Sequence, residues 1–282
     1  MAESIQALST VTKHYDVVLC DVWGVLHNGV SAYEGPKEAL KQAREDGTKV
    51  ILLTNSPRLS TGVAGQLLTL GISDESYDAI VTSGDVTRTL VAEGPRKLFF
   101  LGPDRDIDLI EGTGVELVPE EDAQGILCTG LIDDETETAE DYREMLSAFQ
   151  KRALPFICAN PDLIVSRGDK LVPCAGALAA LYDTLGGETR IAGKPHKPIY
   201  DAACVKAREL GAEADKARIL AIGDGMPTDV KGALDYGLDL LFVAEGIHEA
   251  EYSDNGTVDA QLLDRFLTQK NAHPKYWMPK LA

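Results

Sequence analysis

Residues 15–26 read Y-D-V-V-L-C-D-V-W-G-V-L, and this stretch decides the fold class of the chain. Its first part, Tyr15–Cys20, is a short apolar run typical of a strand that is buried on both faces of a parallel sheet. Asp21 follows directly. Open parallel sheets carry their chemistry at the carboxyl ends of the strands, so we expect Asp21 to lie at a functional edge.

Similar apolar runs recur before and after the middle third of the chain. Segments with the periodicity of helices lie between them, and the first of these opens near Pro36 and closes at Gly47. Strands that alternate with helices predict an α/β fold with right-handed crossovers. The further runs are Lys49–Leu53 (K-V-I-L-L), Ala79–Thr82 (A-I-V-T), Arg218–Ile222 (R-I-L-A-I) and Leu240–Ala244 (L-L-F-V-A).

The middle third has an α/β pattern of its own, which indicates a second domain inserted into the first. We therefore predict one domain from residues 1–94 and 189–282 and an inserted domain from residues 95–188. The predicted strands of the insertion are Lys97–Leu101, Ile126–Thr129 and Leu154–Ala159, and its predicted helices are Thr138–Arg152 and Gly176–Leu185.

Composition excludes several functional classes. The chain has 282 residues and a formal net charge of -18, and a surface this acidic repels nucleic acid and anionic lipid headgroups. Its five cysteines form no C-x-x-C pair, which predicts buried free thiols rather than a disulfide framework or a zinc site. Without an apolar N-terminal segment or a run of the ~20 apolar residues that a membrane span needs, we expect a soluble cytoplasmic protein whose oligomeric state stays open.

Polar residues follow the predicted strands at four places and are expected to meet at one edge. This set contains three carboxylates, one lysine and a pair of hydroxyls. The segments are Asp21, Thr54-Asn55-Ser56, Gly193-Lys194-Pro195 and Gly223-Asp224-Gly225-Met226-Pro227-Thr228-Asp229.

This combination suits phosphoryl transfer. The pKa of an aspartate side chain is ordinarily ~3.9, so we expect Asp21 to be an ionised nucleophile at neutral pH. Asp21 and Asp224 offer the hard oxygen ligands that Mg²⁺ prefers, and the ion would offset the repulsion between the nucleophile and an anionic phosphate. Lys194 would stabilise the negative charge of the transferring oxygens, and the hydroxyls of Thr54 and Ser56 can hold the phosphate. Asp229 is better suited to orienting a ligand than to attack.

The four segments resemble, in order, the four motifs of the haloacid dehalogenase (HAD) superfamily. D-V-W-G-V-L-H-N-G is similar to motif one, L-L-T-N-S to motif two, G-K-P to motif three and G-D-G-M-P-T-D to motif four. The α/β insertion between motifs two and three resembles a C2-type cap. Together these features resemble subclass IIA, which includes p-nitrophenyl phosphatases and sugar- or nucleotide-phosphate phosphatases. The resemblance implies a Rossmann-like parallel-sheet core with an inserted α/β cap.

The resemblance also implies a role for each site residue. Asp21 would form an aspartyl-phosphate, and Mg²⁺ would be held by Asp21, Asp224 and the backbone carbonyl of Trp23, with Asp229 supporting the metal site. Thr54, Asn55, Ser56 and Lys194 would bind the phosphate of a small phosphomonoester such as a sugar phosphate or a nucleotide, and the cap would choose the substrate.

Trp23 departs from the pattern, because phosphatases of the superfamily usually carry a second aspartate at this position. That aspartate protonates the leaving group and then activates water, whereas an indole N–H is only a donor. Loss of general acid–base catalysis typically costs ~10²–10⁴ in rate. Three alternatives stay open: a phosphatase that is slow or uses another acid/base such as His27 or a group of the substrate, a phosphotransferase or long-lived phosphoenzyme, and a protein that binds a phosphometabolite without turnover.

Two weaker interpretations concern residue 23 and an acidic run in the insertion. An aromatic residue at position 23 also resembles the dehalogenase branch, but that chemistry needs no metal, and both Asp224 and Asp229 are present. The run Asp133-Asp134-Glu135 is predicted to be a solvated acidic loop that repels phosphate.

Overall fold

A computed structural model describes residues 2–254 and 256–282. The strands, in chain order, are β1 (Glu3–Ser4), β2 (Val17–Cys20), β3 (Lys49–Thr54), β4 (Ala79–Thr82), β5 (Lys97–Leu101), β6 (Glu116–Leu117), β7 (Gly125–Cys128), β8 (Phe156–Cys158), β9 (Ile164–Arg167), β10 (Lys170–Pro173), β11 (Thr189–Ile191), β12 (Ile219–Gly223), β13 (Asp239–Val243), β14 (Ser253–Asp254), β15 (Thr257–Val258) and β16 (Tyr276–Met278).

The α-helices are α1 (Ser9–Thr12), α2 (Glu34–Glu45), α3 (Ser60–Thr69), α4 (Ser83–Glu93), α5 (Arg143–Lys151), α6 (Ala175–Thr184), α7 (Lys197–Glu209), α8 (Lys231–Tyr236) and α9 (Ala260–Gln269). A π-helical turn, Met226–Val230, leads directly into α8. The chain divides into two compact units: residues 1–54, 64–81 and 200–282 form unit 1, and residues 55–63 and 82–199 form unit 2.

Unit 1 is built on a seven-stranded sheet in the order β1-β16-β13-β12-β2-β3-β4. β2 pairs in parallel with β12 on one side and with β3 on the other. Every residue of β2 and of β12 is buried, which explains why both strands read as continuous apolar runs. The predicted parallel sheet is confirmed.

The order of the strands creates a switch point beside β2. The chain passes from β2 to β3 and β4 on one side of the sheet, and later fills the other side with β12 and β13. In doubly wound sheets the crevice at such a reversal, at the carboxyl ends of the strands, is where ligands bind. The carboxyl ends of β2 and β12 are therefore the place in unit 1 for a functional site.

Unit 2 contains a second parallel sheet, in the order β11-β8-β7-β5-β6, with an apolar core on each face. One core joins the strands to α5 and α6 through side chains such as Phe149, Phe156 and Tyr182. The other joins them to α4 through Val91. Alternate residues of one strand, such as Phe156 and Ile157, point into opposite cores, as the period of a strand requires.

The compact units differ from the predicted domain limits at both junctions. Residues 82–94, expected in the first domain, belong to unit 2 because Val91 of α4 packs among Leu98 and Leu127 of the second sheet. Residues 189–191, expected in the first domain as well, form β11, which pairs with β8 of the second sheet. β11 has only three residues, all half-buried, so it forms no apolar run that would indicate a strand in the sequence.

Two further expectations concern thiols and membranes. All five cysteines are free and buried, which confirms the prediction from their spacing. Within the part of the chain that the structure describes, no helix combines the length and apolar character that a membrane crossing requires.

Candidate active site

Asp21 lies directly after β2, in the middle of the first sheet. Its backbone N–H donates to the carbonyl of Ile222 at 2.9 Å, which continues the ladder between β2 and β12 by one residue. The residue is buried, with only 7% of its surface exposed. The neighbouring strand β12 ends one position before Asp224, so the parallel register brings both carboxylates to the same edge.

Asp21, Asp224 and Asp229 form a buried carboxylate cluster. One carboxylate oxygen from each can be chosen so that all three lie within 4.8 Å of one another. Asp224 Oδ2 accepts a hydrogen bond from the backbone N–H of Ile247 at 2.8 Å, and Asp229 Oδ2 accepts one from Gly225 at 3.1 Å. These bonds fix the orientation of the two side chains within the cluster.

The donor set fits a divalent cation. Three carboxylates this close repel one another strongly when buried, unless a positive charge lies among them. Hard oxygen ligands around a small dication are the usual arrangement for Mg²⁺ or Ca²⁺. The cluster can therefore hold a divalent metal, with Asp21, Asp224 and Asp229 as its protein side chains.

Two glycines let the backbone approach Asp224 closely. A Cβ at Gly24, which has a φ of +86°, would lie 2.5 Å from Asp224 Oδ2, and a Cβ at Gly246 would lie 2.1 Å from the same atom. Gly246 and Ile247 follow β13, the strand beside β12, and neither was predicted from the sequence. Their position just beyond the carboxyl end of a neighbouring strand is the signal that could have found them.

Substitution of Gly246 by alanine is expected to weaken metal binding. The new methyl group would displace Asp224 and break its hydrogen bond from Ile247, and loss of such supporting contacts typically costs ~10–100-fold in metal affinity. Calorimetric titration with Mg²⁺ measures the effect. Gly65→Ala is the matched control, because a Cβ there meets nothing within 4 Å and α3 tolerates alanine. Equal affinity in the two variants would contradict the assigned packing.

Thr54 ends β3, on the other side of β2 from Asp224. The register pairs Cys20 with Leu52, so Thr54 lies at the same carboxyl edge as Asp21, and the residue is buried. Its hydroxyl thus belongs to this edge of unit 1, and its phosphate-binding role stays a prediction.

Trp23 and His27 pack together in the loop after Asp21. Their rings meet edge to face with centroids 5.0 Å apart, and the indole also covers Gly29, where a Cβ would lie 2.4 Å from the Trp23 ring. His27 is 1% exposed, and its Nδ1 accepts a hydrogen bond from the N–H of Gly29 at 2.9 Å. Burial lowers the pKa of His27 to about 4, so the ring is neutral at pH 7. These contacts describe a packed structural histidine.

Asn55 and Lys194 come together in unit 2 through the backbone of the lysine. Lys194 N–H donates to Asn55 Oδ1 at 2.7 Å, and Asn55 Nδ2 donates to the Lys194 carbonyl at 3.2 Å and to Asp162 Oδ1 at 2.8 Å. Gly193 permits this approach, because a Cβ there would lie 2.7 Å from Asn55 Oδ1. The Asn55 side chain therefore holds the lysine segment in place, a different task from the phosphate contact that the sequence suggested.

Ser56 makes hydrogen bonds within unit 2, and Lys194 lies at the end of a strand of that unit. Ser56 Oγ accepts a hydrogen bond from the N–H of Arg58 at 3.2 Å, and the Ser56 carbonyl accepts one from Gly84 at 3.0 Å. Lys194 follows β11, which pairs with β8 of the second sheet. The sequence pattern instead predicted that the lysine follows a strand of the same sheet as Asp21. The lysine is buried, and the peptide bond to Pro195 is cis.

Substitution of Asn55 by aspartate is expected to be more harmful than substitution by alanine. Alanine leaves the buried N–H of Lys194 without its acceptor, which costs about 1–3 kcal/mol of stability. Aspartate keeps an acceptor but turns the bond to Asp162 into a repulsion between two carboxylates. Thermal unfolding of both variants tests this order. An aspartate variant as stable as the wild type would show that the amide donation to Asp162 contributes nothing.

Two family models match the chain. The haloacid dehalogenase-like hydrolase model covers residues 18–116, and a HAD-hydrolase-like model covers residues 191–266. Among solved structures, a haloacid dehalogenase-like hydrolase from Brucella suis 1330 is 49% identical with a TM-score of 0.89, and the match covers 99% of this chain and 100% of that one.

Two curated proteins resemble the chain over most of its length. A D-glycerol 3-phosphate phosphatase of Mycobacterium tuberculosis (strain H37Rv) is 27% identical over 248 residues, which covers 86% of this chain and 67% of the relative. The sugar-phosphatase AraL of Bacillus subtilis (strain 168) is 29% identical over 236 residues, which covers 81% of this chain and 83% of the relative.

The chain belongs to the haloacid dehalogenase-like hydrolases. The predicted superfamily, its subclass IIA and the predicted fold class, a Rossmann-like parallel-sheet core with an inserted α/β cap, are confirmed. The predicted enzyme class, a phosphatase, is confirmed as well.

Proposed function

We propose that the chain is a Mg²⁺-dependent phosphatase of small phosphomonoesters that uses Asp21 as its nucleophile. The observation that carries the proposal is the cluster of three buried carboxylates at the carboxyl ends of β2 and β12. A bound dication would neutralise the repulsion among three buried aspartates and would also allow an anionic substrate to approach them.

The proposed reaction has two steps. In the first, an oxygen of Asp21 attacks the phosphorus, the bond to the ester oxygen breaks, and the leaving oxygen takes a proton from solvent water and departs as the alcohol. In the second, water attacks the phosphorus of the aspartyl-phosphate, and release of inorganic phosphate restores the Asp21 carboxylate. A bound Mg²⁺ would offset the repulsion between the carboxylate and the phosphate. The N–H groups of Ile247 and Gly225 donate hydrogen bonds to the carboxylates of Asp224 and Asp229 and hold them in place.

Phosphate binding is proposed for Lys194 and Thr54. Lys194 supplies a positive charge for the transferring oxygens, and Thr54 supplies a hydroxyl at the edge next to Asp21. The backbone carbonyl of Trp23 is proposed as a further ligand of the metal. Asn55 contributes indirectly, since its side chain fixes the backbone of Lys194.

The substrate class is proposed to be a phosphorylated sugar or polyol. Support comes from the two curated relatives, which are named as phosphatases of D-glycerol 3-phosphate and of sugar phosphates and which match more than four fifths of this chain.

A phosphoenzyme with a long lifetime, or transfer to an acceptor other than water, is the second candidate. Trp23 supplies no base, and His27 is engaged through Nδ1 and buried, so neither is suited to activating water. The first step needs less help when the leaving group is a good one, whereas the second depends on an activated water. This imbalance favours slow release of phosphate.

Phosphate release from a panel of phosphomonoesters tests the proposed function. The panel includes p-nitrophenyl phosphate, glycerol 3-phosphate and several hexose phosphates, each with Mg²⁺ and with a chelator, against Asp21→Asn protein purified in parallel. We expect turnover with Mg²⁺ that the chelator removes and that the variant lacks. Activity that is equal in wild type and variant would reject Asp21 as the nucleophile.

A further inference from the structure

The loop after β13 contacts the carboxylate cluster of unit 1 at two places. The N–H of Ile247 donates to Asp224, and the next residue, His248, accepts a hydrogen bond on its Nε2 from the backbone N–H of Met226 at 3.2 Å. Met226 is the first residue of the π-helical turn that contains Asp229. One short loop therefore reaches both segments that supply these two aspartates.

His248 acts as the cap of this turn. The first N–H groups of a helix have no partner within the helix and need one from elsewhere. The residue before the turn is Gly225, which has no side chain that could accept a hydrogen bond. Pro227 has no N–H, so the N–H of Met226 is the first donor of the turn. The His248 ring satisfies this donor from the end of the neighbouring strand.

The turn needs such support because Asp229 lies among like charges. Oxygens of its carboxylate and of those of Asp21 and Asp224 can be chosen within 4.8 Å of one another, and buried like charges this close repel. A π-helical turn is also rare, and turns of this kind occur mostly at functional sites. A hydrogen bond that holds the start of the turn therefore opposes movement of Asp229 away from the cluster.

The acidic run of unit 2 forms no comparable cluster. Asp134 accepts two hydrogen bonds from Arg167, of 2.9 and 2.6 Å, so the expectation of a solvated acidic loop is wrong for this residue. Among the residues that the structure describes, Asp21, Asp224 and Asp229 are the one group of three such side chains close enough to hold a metal ion. Metal binding by the described part of the chain thus depends on the geometry of this group.

Contacts within unit 1 hold the His248 ring in one orientation. The ring packs on Phe266 of α9 with centroids 5.7 Å apart, and Phe266 in turn contacts Tyr252 at 5.1 Å. The Tyr252 hydroxyl donates to the carbonyl of Ala244 at 2.7 Å, which ties the end of the loop to its start. Burial lowers the pKa of His248, so the ring is neutral at pH 7 and one of its nitrogens can accept a hydrogen bond.

We propose that His248 is a positioning residue of the metal site, which holds the backbone of Met226 and so keeps Asp229 in place to support a bound divalent cation. This inference rests on the proposed Mg²⁺-dependent function and adds to it a residue that none of the four sequence motifs contains. Partners that orient metal ligands typically contribute ~10–100-fold to metal affinity. His248 acts through a backbone N–H, so we expect an effect of about 10-fold.

Two substitutions of His248 separate the hydrogen bond from the packing. His248→Phe keeps a ring against Phe266 and removes the acceptor, whereas His248→Gln keeps an acceptor near the position of Nε2 and removes the ring. In calorimetric titrations with Mg²⁺, we expect His248→Phe to bind about 10-fold more weakly than the wild type and His248→Gln to stay within about 3-fold of it. The reverse order would show that only packing matters, and it would overturn the proposal.

A spectroscopic measurement reports on the hydrogen bond in the metal-free protein. The chain has four methionines, so protein labelled with ¹⁵N-methionine gives few amide signals, and Met226 is assigned by the signal that Met226→Leu lacks. We expect this signal to shift in His248→Phe and to return close to its wild-type position in His248→Gln. Met145 in α5 and Met278 in β16 report on folding, one in each unit.

The protonation of the wild-type ring tests the proposal without a variant. Spectra of protein labelled with ¹⁵N-histidine should show that Nε2 of His248 carries no proton, and a proton on this atom would overturn the proposal. Equal Mg²⁺ affinity in wild type and folded His248→Phe would overturn it too, while leaving the proposed phosphatase function standing. Absence of Mg²⁺ binding by the wild type would reject the proposed metal dependence, and the proposal with it.

Discussion

Asp21→Asn is expected to reduce phosphate release by about 10⁴-fold or more, because the substitution removes the attacking oxygen anion. Asparagine has nearly the same size, and the backbone bond from residue 21 to Ile222 does not involve the side chain. Removal of one carboxylate from three that repel one another should also make the metal-free protein at least as stable as the wild type. Lost activity together with preserved stability would place Asp21 in the chemistry of the site rather than in the folding of unit 1.

The same strand offers the control. Asp16→Asn changes an aspartate at the amino end of β2, where the carboxylate pairs with Arg218 at the surface. It should leave the rate unchanged. Intact-protein mass after brief mixing with a phosphodonor should reveal an added phosphoryl group in the wild type and none in Asp21→Asn. A phosphorylated asparagine variant would show that another residue is the acceptor.

Trp23→Asp is expected to raise the steady-state rate by about 10²–10⁴-fold, the usual contribution of a general acid–base group. The new carboxyl group would lie two residues after Asp21, at the position where phosphatases of the superfamily usually carry their second aspartate. There it would reach the leaving group and the attacking water. The backbone carbonyl of residue 23 is retained, so the proposed metal ligand is unaffected. A burst of product in the wild type that becomes linear in the variant would identify dephosphorylation as the slow step.

Trp23→Asn is the matched control for this gain. It removes the same indole from Gly29 and His27, with the same loss of packing, but an amide cannot carry the proton. The asparagine variant should therefore be no faster than the wild type. If both variants are equally fast, the indole acts as a steric block, and the missing base is not the reason for slow turnover.

The carboxylates of this site could be predicted from the sequence because they directly follow buried strands or lie a few residues beyond them. Strands buried on both faces read as continuous apolar runs, and in a parallel sheet their carboxyl ends meet at one edge. Asp21 and Asp224 directly follow two such runs, so their proximity follows from the one-dimensional pattern. Asp229 lies five residues beyond Asp224, within the π-helical turn Met226–Val230, and this turn brings it back to the same cluster.

Other features depend on pairings between distant segments. Asn55 is one residue past Thr54 in the sequence, yet its amide is engaged with Lys194 and Asp162, and its neighbours in the chain do not reveal this. Gly246 matters only because the strands β12 and β13 are adjacent. The ion pair of Arg58 with Asp106 similarly joins the loop between β3 and α3 to the 3₁₀-helical segment Asp104–Ile110 that follows β5.

The amino-acid sequence by itself determined the α/β class, the parallel strands of the main sheet and the two carboxylates that anchor the site, since these follow from apolar runs and the residues after them. Only the tertiary structure decided that β11 belongs to the second sheet, that Asn55 holds the lysine backbone and that Asp106 joins two arginines. Strand pairing and burial of charge are set by the sum of many non-local contacts, and no local pattern of residues encodes that sum.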